Sequence, residues 1–113
     1  MRILLLGAGG FIGRHVLADL LATGHDVIGV ARSTGLLADA FPEARFINMD
    51  LAKATRLDAW SGHLADVDVI VNAAGLLRGR DMDAVHVAMP QALYEAAQTA
   101  GGKRLVLISA VSA

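Results

Sequence analysis

Short apolar runs alternate along this chain with segments in which apolar residues recur at every third or fourth position. The runs predict β-strands at residues 3–6, 26–31, 45–48, 67–71 and 105–108. The periodic segments between them predict helices at residues 11–23, 36–40, 57–64 and 83–100. A chain in which strands alternate with helices folds with right-handed crossovers into a parallel sheet.

The alternation predicts one α/β domain, a three-layer sandwich in which helices cover both faces of the sheet. Strands 1, 4 and 5 are nearly unbroken apolar runs, which is typical of strands buried on both faces. In the first helix, Ile12, Val16 and Leu20 form the predicted apolar stripe, with Leu17 and Leu21 beside it. The predicted strand order is 3-2-1-4-5, which places a ligand crevice outside the carboxyl ends of strands 1 and 4.

The first strand runs directly into a glycine-rich loop of the form G-x-x-G-x-x-G, made by Gly7, Gly10 and Gly13. Gly7 allows the tight turn, Gly10 lets backbone N–H groups approach a pyrophosphate, and Gly13 lets the following helix pack against the strand. The unpaired amides and positive dipole end of that helix attract an anion. The loop therefore predicts a dinucleotide site that includes Phe11 and Ile12; the alternative is a plain strand–helix connection.

The composition narrows the function without identifying it. With 113 residues, 55% of them hydrophobic and 19% charged, the chain is long enough for one aliphatic core and is not disordered. The net charge of −1 is scattered, so no nucleic-acid or membrane surface is predicted, and no apolar run is long enough to span a bilayer. The absence of cysteine excludes thiolate chemistry and fits a cytoplasmic location, and the four histidines lack the spacing of a metal site.

The residues that follow the second predicted strand bear on the choice of dinucleotide. In dinucleotide-binding folds, an acidic residue about 20 residues past the glycines holds the ribose 2′-hydroxyl of NAD. This chain has Ala31, Arg32 and Ser33 there instead, so a carboxylate is missing and a guanidinium suited to a phosphate is present. NADP is therefore favoured over NAD; the alternative is that Arg32 is a solvent-exposed loop residue.

Polar and small residues also follow the third and fourth strands. Asp50, followed by Leu51, is placed to accept a hydrogen bond from an adenine amino group, or else to cap a helix. Ala73, Ala74 and Gly75 leave room for a flat cofactor against the backbone, or else form a tight turn that needs the glycine. These residues are predicted to lie at the same edge of the sheet as the glycine-rich loop.

Together these motifs resemble the N-terminal half of the short-chain dehydrogenase/reductase superfamily, in its extended or atypical branch. The sequence is similar to NAD-dependent epimerases and dehydratases, to a respiratory complex I accessory subunit and to NADP-sensing regulators. The resemblance implies a Rossmann-type fold and a bound NAD(P). In active members it also implies a serine that orients the substrate oxygen, a tyrosine general acid/base and a lysine that lowers the pKa of that tyrosine. It rests on residues 7–13, 31–32, 50–51, 72–75, 85–97 and 105–109.

The sequence departs from that pattern in its catalytic residues. The Tyr-x-x-x-Lys pair should follow strand 5, where the sequence ends, and Tyr94, with Gln98 four positions later, is predicted to pack in the core. Ser109 is the candidate for the active serine, and Ser112 follows it. One alignment places Ala110 rather than Ser109 at the active position, and the alternative role of a serine there is a cap or a solvated residue.

The apolar edge of strand 5 adds an expectation about the whole protein. A bare edge of this kind predicts that these residues are the N-terminal part of a longer protein, or that a partner chain covers the edge. The whole protein is then a reductase, dehydrogenase or epimerase of a small carbonyl or nucleotide-sugar substrate, a non-catalytic NADP sensor, or an accessory subunit that uses the nucleotide structurally. The 113 residues alone are expected to bind nucleotide weakly and to catalyse nothing.

Overall fold

Five parallel strands form one sheet in the computed structural model, which describes residues 1–54, 57–60, 62–73, 89–100 and 104–107. The strand order is β3-β2-β1-β4-β5, so the predicted order and the α/β class are confirmed. The strands are β1 at Arg2–Leu6, β2 at Asp26–Ala31, β3 at Arg45–Asn48, β4 at Val69–Asn72 and β5 at Arg104–Leu107.

Helices cover both faces of this sheet. They are α1 at Phe11–Ala22, α2 at Gly35–Ala40, α3 at Leu57–Trp60 and α4 at Met89–Thr99, and a 3-10 turn lies at Leu51–Lys53. Helices α1 and α2 pack on one face, whereas α3 and α4 pack on the other. None of the helices within the described ranges is long and apolar enough to cross a bilayer. The first residues predicted for α4, 83–88, lie outside the described part of the chain.

Two apolar clusters sandwich β1, whose side chains alternate between them. Leu4 and Leu6 face α3 and α4, while Ile3 and Leu5 face α1 and α2, and all four are buried. This alternation is why β1 is an unbroken apolar run. Residues 69–72 of β4 are also buried, as expected, whereas Leu105 and Val106 of β5 are 41% and 42% exposed. Coverage of both faces is therefore confirmed for β1 and β4, but the described structure does not show it for β5.

The apolar face predicted for α1 agrees with the structure, whereas the end of α3 and the packing of Tyr94 differ from their predictions. In α1, Leu17 is buried, and Val16, Leu20 and Leu21 pack against the same cluster. Helix α3 ends at Trp60 rather than at residue 64, and Gly62 turns the chain with a left-handed φ of 84°. Tyr94 is 37% exposed and does not pack in the core, because it lies beside the buried Leu93 on the outer side of α4.

Ion pairs join the amino ends of the strands. The Arg2 guanidinium contacts Asp26 at 2.9 Å and Asp66 at 3.3 Å, and Arg45 contacts Asp26 at 3.1 Å. Asp68 accepts a hydrogen bond from the Arg2 backbone N–H at 2.9 Å. The hydrogen bond from Arg2, aided by the charge of Arg45, holds the pKa of Asp26 below its ordinary value although partial burial opposes this. In this cluster, which we call the amino-edge cluster, the ion pair between Arg2 and Asp26 joins two residues that are register partners in β1 and β2.

The lowered pKa of Asp26 makes acid stability depend on this residue. Because the folded-state pKa lies below the unfolded one, the stabilisation is fully present above the ordinary aspartate pKa. It is lost as the pH falls through the lower folded-state value. We expect Asp26→Asn to lower the free energy of unfolding at neutral pH and to flatten its acid dependence, as measured by urea unfolding at a series of pH values. Asp39→Asn, on the exposed side of α2, is the control for loss of one charge; the same acid slope in both variants would contradict the prediction.

Candidate functional site: a glycine-rich turn at the carboxyl edge of the sheet

The turn between β1 and α1 is anchored to the neighbouring strand through its backbone. Gly7 adopts a left-handed φ of 78°, which side chains rarely tolerate. The Gly7 and Ala8 N–H groups both donate to the Val30 carbonyl oxygen, at 3.1 and 3.2 Å, and the Gly10 N–H donates to the Gly7 carbonyl oxygen at 3.1 Å. The turn therefore sits at the carboxyl ends of β1 and β2, at the edge where the sequence predicts the ligand crevice.

Gly13 brings α1 into direct contact with this turn. A Cβ atom at Gly13 would lie 1.8 Å from the Gly7 carbonyl oxygen and 2.8 Å from the Gly7 carbonyl carbon. Because both are backbone atoms that hold the turn, no side-chain movement could relieve the overlap. The close helix–strand packing predicted for Gly13 is thus what the structure shows.

Gly10 differs from Gly13 because the protein leaves space around it. The nearest heavy atom to a Cβ at Gly10 would be the Gly7 carbonyl oxygen at 3.5 Å, which is an ordinary contact, and the residue is exposed. Its φ of −75° suits any residue. Nothing in the described protein therefore requires glycine at this position, so the absent side chain opens the surface in front of the helix.

The N-terminus of α1 opens onto that surface. Gly10 is the N-cap residue and no side chain caps the helix. The first intrahelical hydrogen bond runs from the Arg14 N–H to the Gly10 carbonyl oxygen at 2.9 Å, so the amides of Phe11, Ile12 and Gly13 precede the helical ladder. The first turn contains no acidic residue that would neutralise the positive end of the helix dipole. Phe11, the first residue of the helix, is 80% exposed.

The end of β2 lies beside the same turn. A Cβ at Gly9 would lie 3.7 Å from the Ala31 Cβ and 3.7 Å from the Leu37 Cδ1, so the turn, the end of β2 and α2 converge. Arg32 and Ser33 follow Ala31 immediately, and both are exposed. Within the described residues Arg32 forms no ion pair. The residue predicted to distinguish the dinucleotides is therefore exposed, and it directly follows the residue that approaches the glycine-rich turn.

The ends of β3 and β4 complete this edge. The Met49 N–H donates to the Ala31 carbonyl oxygen at 2.9 Å, which places the half-buried Asp50 next along the edge. Asp50 immediately precedes the 3-10 turn and its carbonyl oxygen accepts from Lys53, a position that suits either of its two predicted roles. The Leu51 side chain is 6% exposed and packs in the core, which leaves its backbone as the part available to a ligand.

On the other side of β1, the Ala73 N–H donates to the Leu6 carbonyl oxygen at 3.0 Å, and the Ala73 side chain is 4% exposed. Its small side chain is therefore next to the start of the turn. Ala74, Gly75 and the catalytic candidate Ser109 lie outside the described residues, so their assignments stay predictions.

Two residues that sequence reasoning missed also bear on the turn. Gly29 of β2 pairs in register with Phe46 of β3, and a Cβ at Gly29 would meet the Phe46 ring at 2.8 Å and the Ala8 methyl at 3.0 Å. An aromatic residue on one strand can cover a glycine on the neighbouring strand, and both residue types are visible in the sequence. The pairing could be predicted only if the register between the two strands were known.

The opposite edge of the sheet carries an open groove of about 310 Å³ beside the amino-edge cluster. Arg2 and Arg45 line it, but both guanidinium groups are already paired with carboxylates. Among the described residues no group of three or more His, Asp or Glu side chains is placed to hold a metal ion. The glycine-rich turn is consequently the better candidate for an anion site.

The fold and this turn define a Rossmann-type nucleotide-binding architecture, and the comparisons with known proteins agree. The sequence matches the NAD dependent epimerase/dehydratase family over residues 3–113. It is 36% identical over 117 residues to the dTDP-6-deoxy-L-talose 4-dehydrogenase (NAD(P)(+)) of Kitasatospora kifunensis, with 97% of this chain and 35% of that protein covered. It is 34% identical over 110 residues to an uncharacterized protein of Mycobacterium tuberculosis, with 96% and 12% covered.

A solved structure shows the same architecture. Yeast methylglyoxal/isovaleraldehyde reductase Gre2, complexed with NADPH, superposes with a TM-score of 0.79 at 25% identity, over 97% of this chain and 37% of the reductase. The chain thus belongs to the NAD-dependent epimerase/dehydratase family, and the predicted resemblance to the short-chain dehydrogenase/reductase superfamily is confirmed. It spans between 12% and 37% of the length of these three proteins.

The contact between Gly13 and Gly7 makes a clear prediction about stability. Gly13→Ala should lower the free energy of unfolding by about 3 kcal/mol or more, because the methyl group overlaps a backbone oxygen that cannot move without breaking the turn. Gly9→Ala is the matched control, since its methyl group would make ordinary contacts and should change stability by less than about 0.5 kcal/mol. Chemical denaturation measures both, and equal stability of the two variants would show that the close approach is absent.

Proposed function

We propose that this chain binds a nicotinamide dinucleotide across the carboxyl edge of the sheet, with the pyrophosphate at the N-terminus of α1. The observation that carries the proposal is the uncapped start of α1 behind Gly10, where the protein leaves room for a ligand. The first-turn amides supply hydrogen-bond donors, and the helix dipole favours negative charge. A pyrophosphate satisfies both features, whereas a plain strand–helix connection needs neither.

The remaining parts of the dinucleotide are assigned by position along the edge. Ala31, Arg32 and Ser33 lie where the adenosine ribose would extend from the turn, and Asp50 with Leu51 lies where the adenine would reach. Ala73, with Ala74 and Gly75 after it, would face the nicotinamide half. The cofactor supplies hydride chemistry when bound, and the chain positions it.

We assign the preference to NADP because of Arg32. The residue is exposed, directly follows Ala31, which approaches the glycine-rich turn, and forms no ion pair within the described residues. A planar guanidinium binds the additional 2′-phosphate of NADP through charge-assisted hydrogen bonds. The name of the Kitasatospora relative allows either dinucleotide, and the yeast reductase structure contains NADPH.

The proposed activity of the whole protein is oxidation, reduction or epimerisation of a small carbonyl or nucleotide-sugar substrate. The relatives support this class, since one acts on a dTDP-linked deoxysugar and another reduces methylglyoxal and isovaleraldehyde. In this reading the Ser109 hydroxyl orients the substrate oxygen. A Tyr-x-x-x-Lys pair elsewhere in the whole protein would be needed for the proton transfer.

Gly10 provides the test of pyrophosphate binding. Gly10→Ala adds a methyl group that the protein accommodates but that would point at the bound pyrophosphate. We expect the affinity for NADPH to fall by about tenfold or more. The free energy of unfolding should change by less than about 1 kcal/mol, the scale of a helix N-cap effect. Calorimetric titration and urea unfolding measure the two quantities. Gly9→Ala controls for a methyl group elsewhere in the turn, and an unchanged affinity in Gly10→Ala would overturn the proposed site.

Arg32 provides the test of the preference for NADP. Arg32→Ala should weaken NADPH binding by about 10- to 100-fold, since hydrogen bonds to a charged group are lost, while NADH binding should change little. Titrations with both dinucleotides measure the ratio. Arg104→Ala removes an exposed positive charge from the amino end of β5 and controls for the overall charge. Equal loss for NADPH and NADH in Arg32→Ala would refute the assignment.

A further inference from the structure

The contact between Gly29, Phe46 and Ala8 links the edge strand β3 to the glycine-rich turn. Gly29 and Phe46 are register partners on adjacent strands, and the Phe46 ring lies over the space that a side chain at Gly29 would fill. The Ala8 methyl borders the same space, and Ala8 is fully buried. The ring and the methyl group therefore border one space, above a strand position that has no side chain.

Ala8 is part of the turn itself. It follows Gly7, and its N–H donates to the Val30 carbonyl oxygen. A displacement of Ala8 would move that hydrogen bond and, through Gly7, the carbonyl oxygen against which Gly13 packs. The side chain of Phe46 thus borders the backbone segment whose position sets the start of α1.

We infer that Phe46 is a positioning residue for the dinucleotide site, acting through Ala8, and that Gly29 is glycine because the ring needs its space. The predicted effect on dinucleotide affinity rests on the proposed function. The packing of Phe46 near Ala8, by contrast, is a feature of the protein alone. Phe46 lies on the α1 face of the sheet, and its effect on a ligand would be indirect.

The neighbouring residue on β3 supplies a matched control. Ile47 is also half-buried, but it packs against the cluster on the opposite face of the sheet, with α3 and α4. Phe46→Ala and Ile47→Ala each remove an apolar side chain from the same strand. A purely structural role for Phe46 would predict parallel effects of the two substitutions.

We expect Phe46→Ala to weaken NADPH binding by about tenfold. Without the ring the turn is less ordered, and part of the binding free energy is then used to order it. Ile47→Ala should leave the affinity unchanged when both variants are titrated under conditions where they are fully folded. Amide hydrogen exchange followed by NMR gives a readout that needs no ligand. Exchange at Gly7 and Ala8 should accelerate in Phe46→Ala and not in Ile47→Ala.

A second pair of variants tests the contact by rescue. Gly29→Ala places a methyl group in the space of the ring and should also accelerate exchange at Ala8. Gly29→Ala combined with Phe46→Leu should restore part of the protection, because leucine relieves the overlap at the ring while the 3.0 Å approach to the Ala8 methyl remains. Equal exchange in Phe46→Ala and Ile47→Ala, or no rescue, overturns the inference. Failure of the unsubstituted protein to bind NADPH or NADH overturns the proposed function instead, and the exchange experiment still decides whether Phe46 positions the turn.

Discussion

The close approach of α1 to the end of β1 is the constraint on which the rest of the site depends. Gly13 faces the Gly7 carbonyl oxygen at a distance that excludes any side chain, so the helix starts directly above the turn. The same turn donates two amides to Val30 of β2. The start of the helix is therefore fixed relative to two strands at once, and an anion bound there meets donors that are already in place. Such preorganisation reduces the ordering cost of binding.

Much of this fold follows from local patterns in the sequence. The bounds of β2 and β3 agree with the sequence prediction. In β2 the reason is burial of a short apolar segment, whereas β3 has only Phe46 and Ile47 half-buried on opposite faces. The face of α1 was also predictable, because Val16, Leu17 and Leu20 lie at helical spacing and pack against one apolar cluster. The end of α3 was missed because it depends on the left-handed Gly62.

The site was predictable to the extent that backbone chemistry defines it. Gly7 and Gly13 could be predicted because a tight turn and close helix packing each demand a glycine, and Gly10 was predicted only from the space that a pyrophosphate would need. Phe46 could not, because its contact depends on the register between β2 and β3, and no local pattern states which residue lies opposite Gly29. The position of Arg32 beside the turn also required the fold, since the contacts of Gly9 with Ala31 and Leu37 join segments distant in sequence.

The two edges of the sheet differ in whether their arginine side chains are paired with carboxylates. The paired edge contributes to stability, and the other edge is the better candidate for binding an anion. At the amino edge, Arg2 and Arg45 already contact carboxylates, so an added anion would have to displace Asp26 or Asp66 before it gained a guanidinium. At the carboxyl edge, Arg32 is exposed, the first amides of α1 precede the helical hydrogen bonds, and the first turn contains no acidic side chain. An anion at the carboxyl edge would gain hydrogen-bond donors. It would not have to displace a carboxylate from Arg32, which forms no ion pair among the described residues. The net free energy of binding depends on this cost of breaking existing ion pairs. The groove beside the amino-edge cluster is therefore the weaker candidate for an anion site, and the N-terminus of α1 is the stronger one.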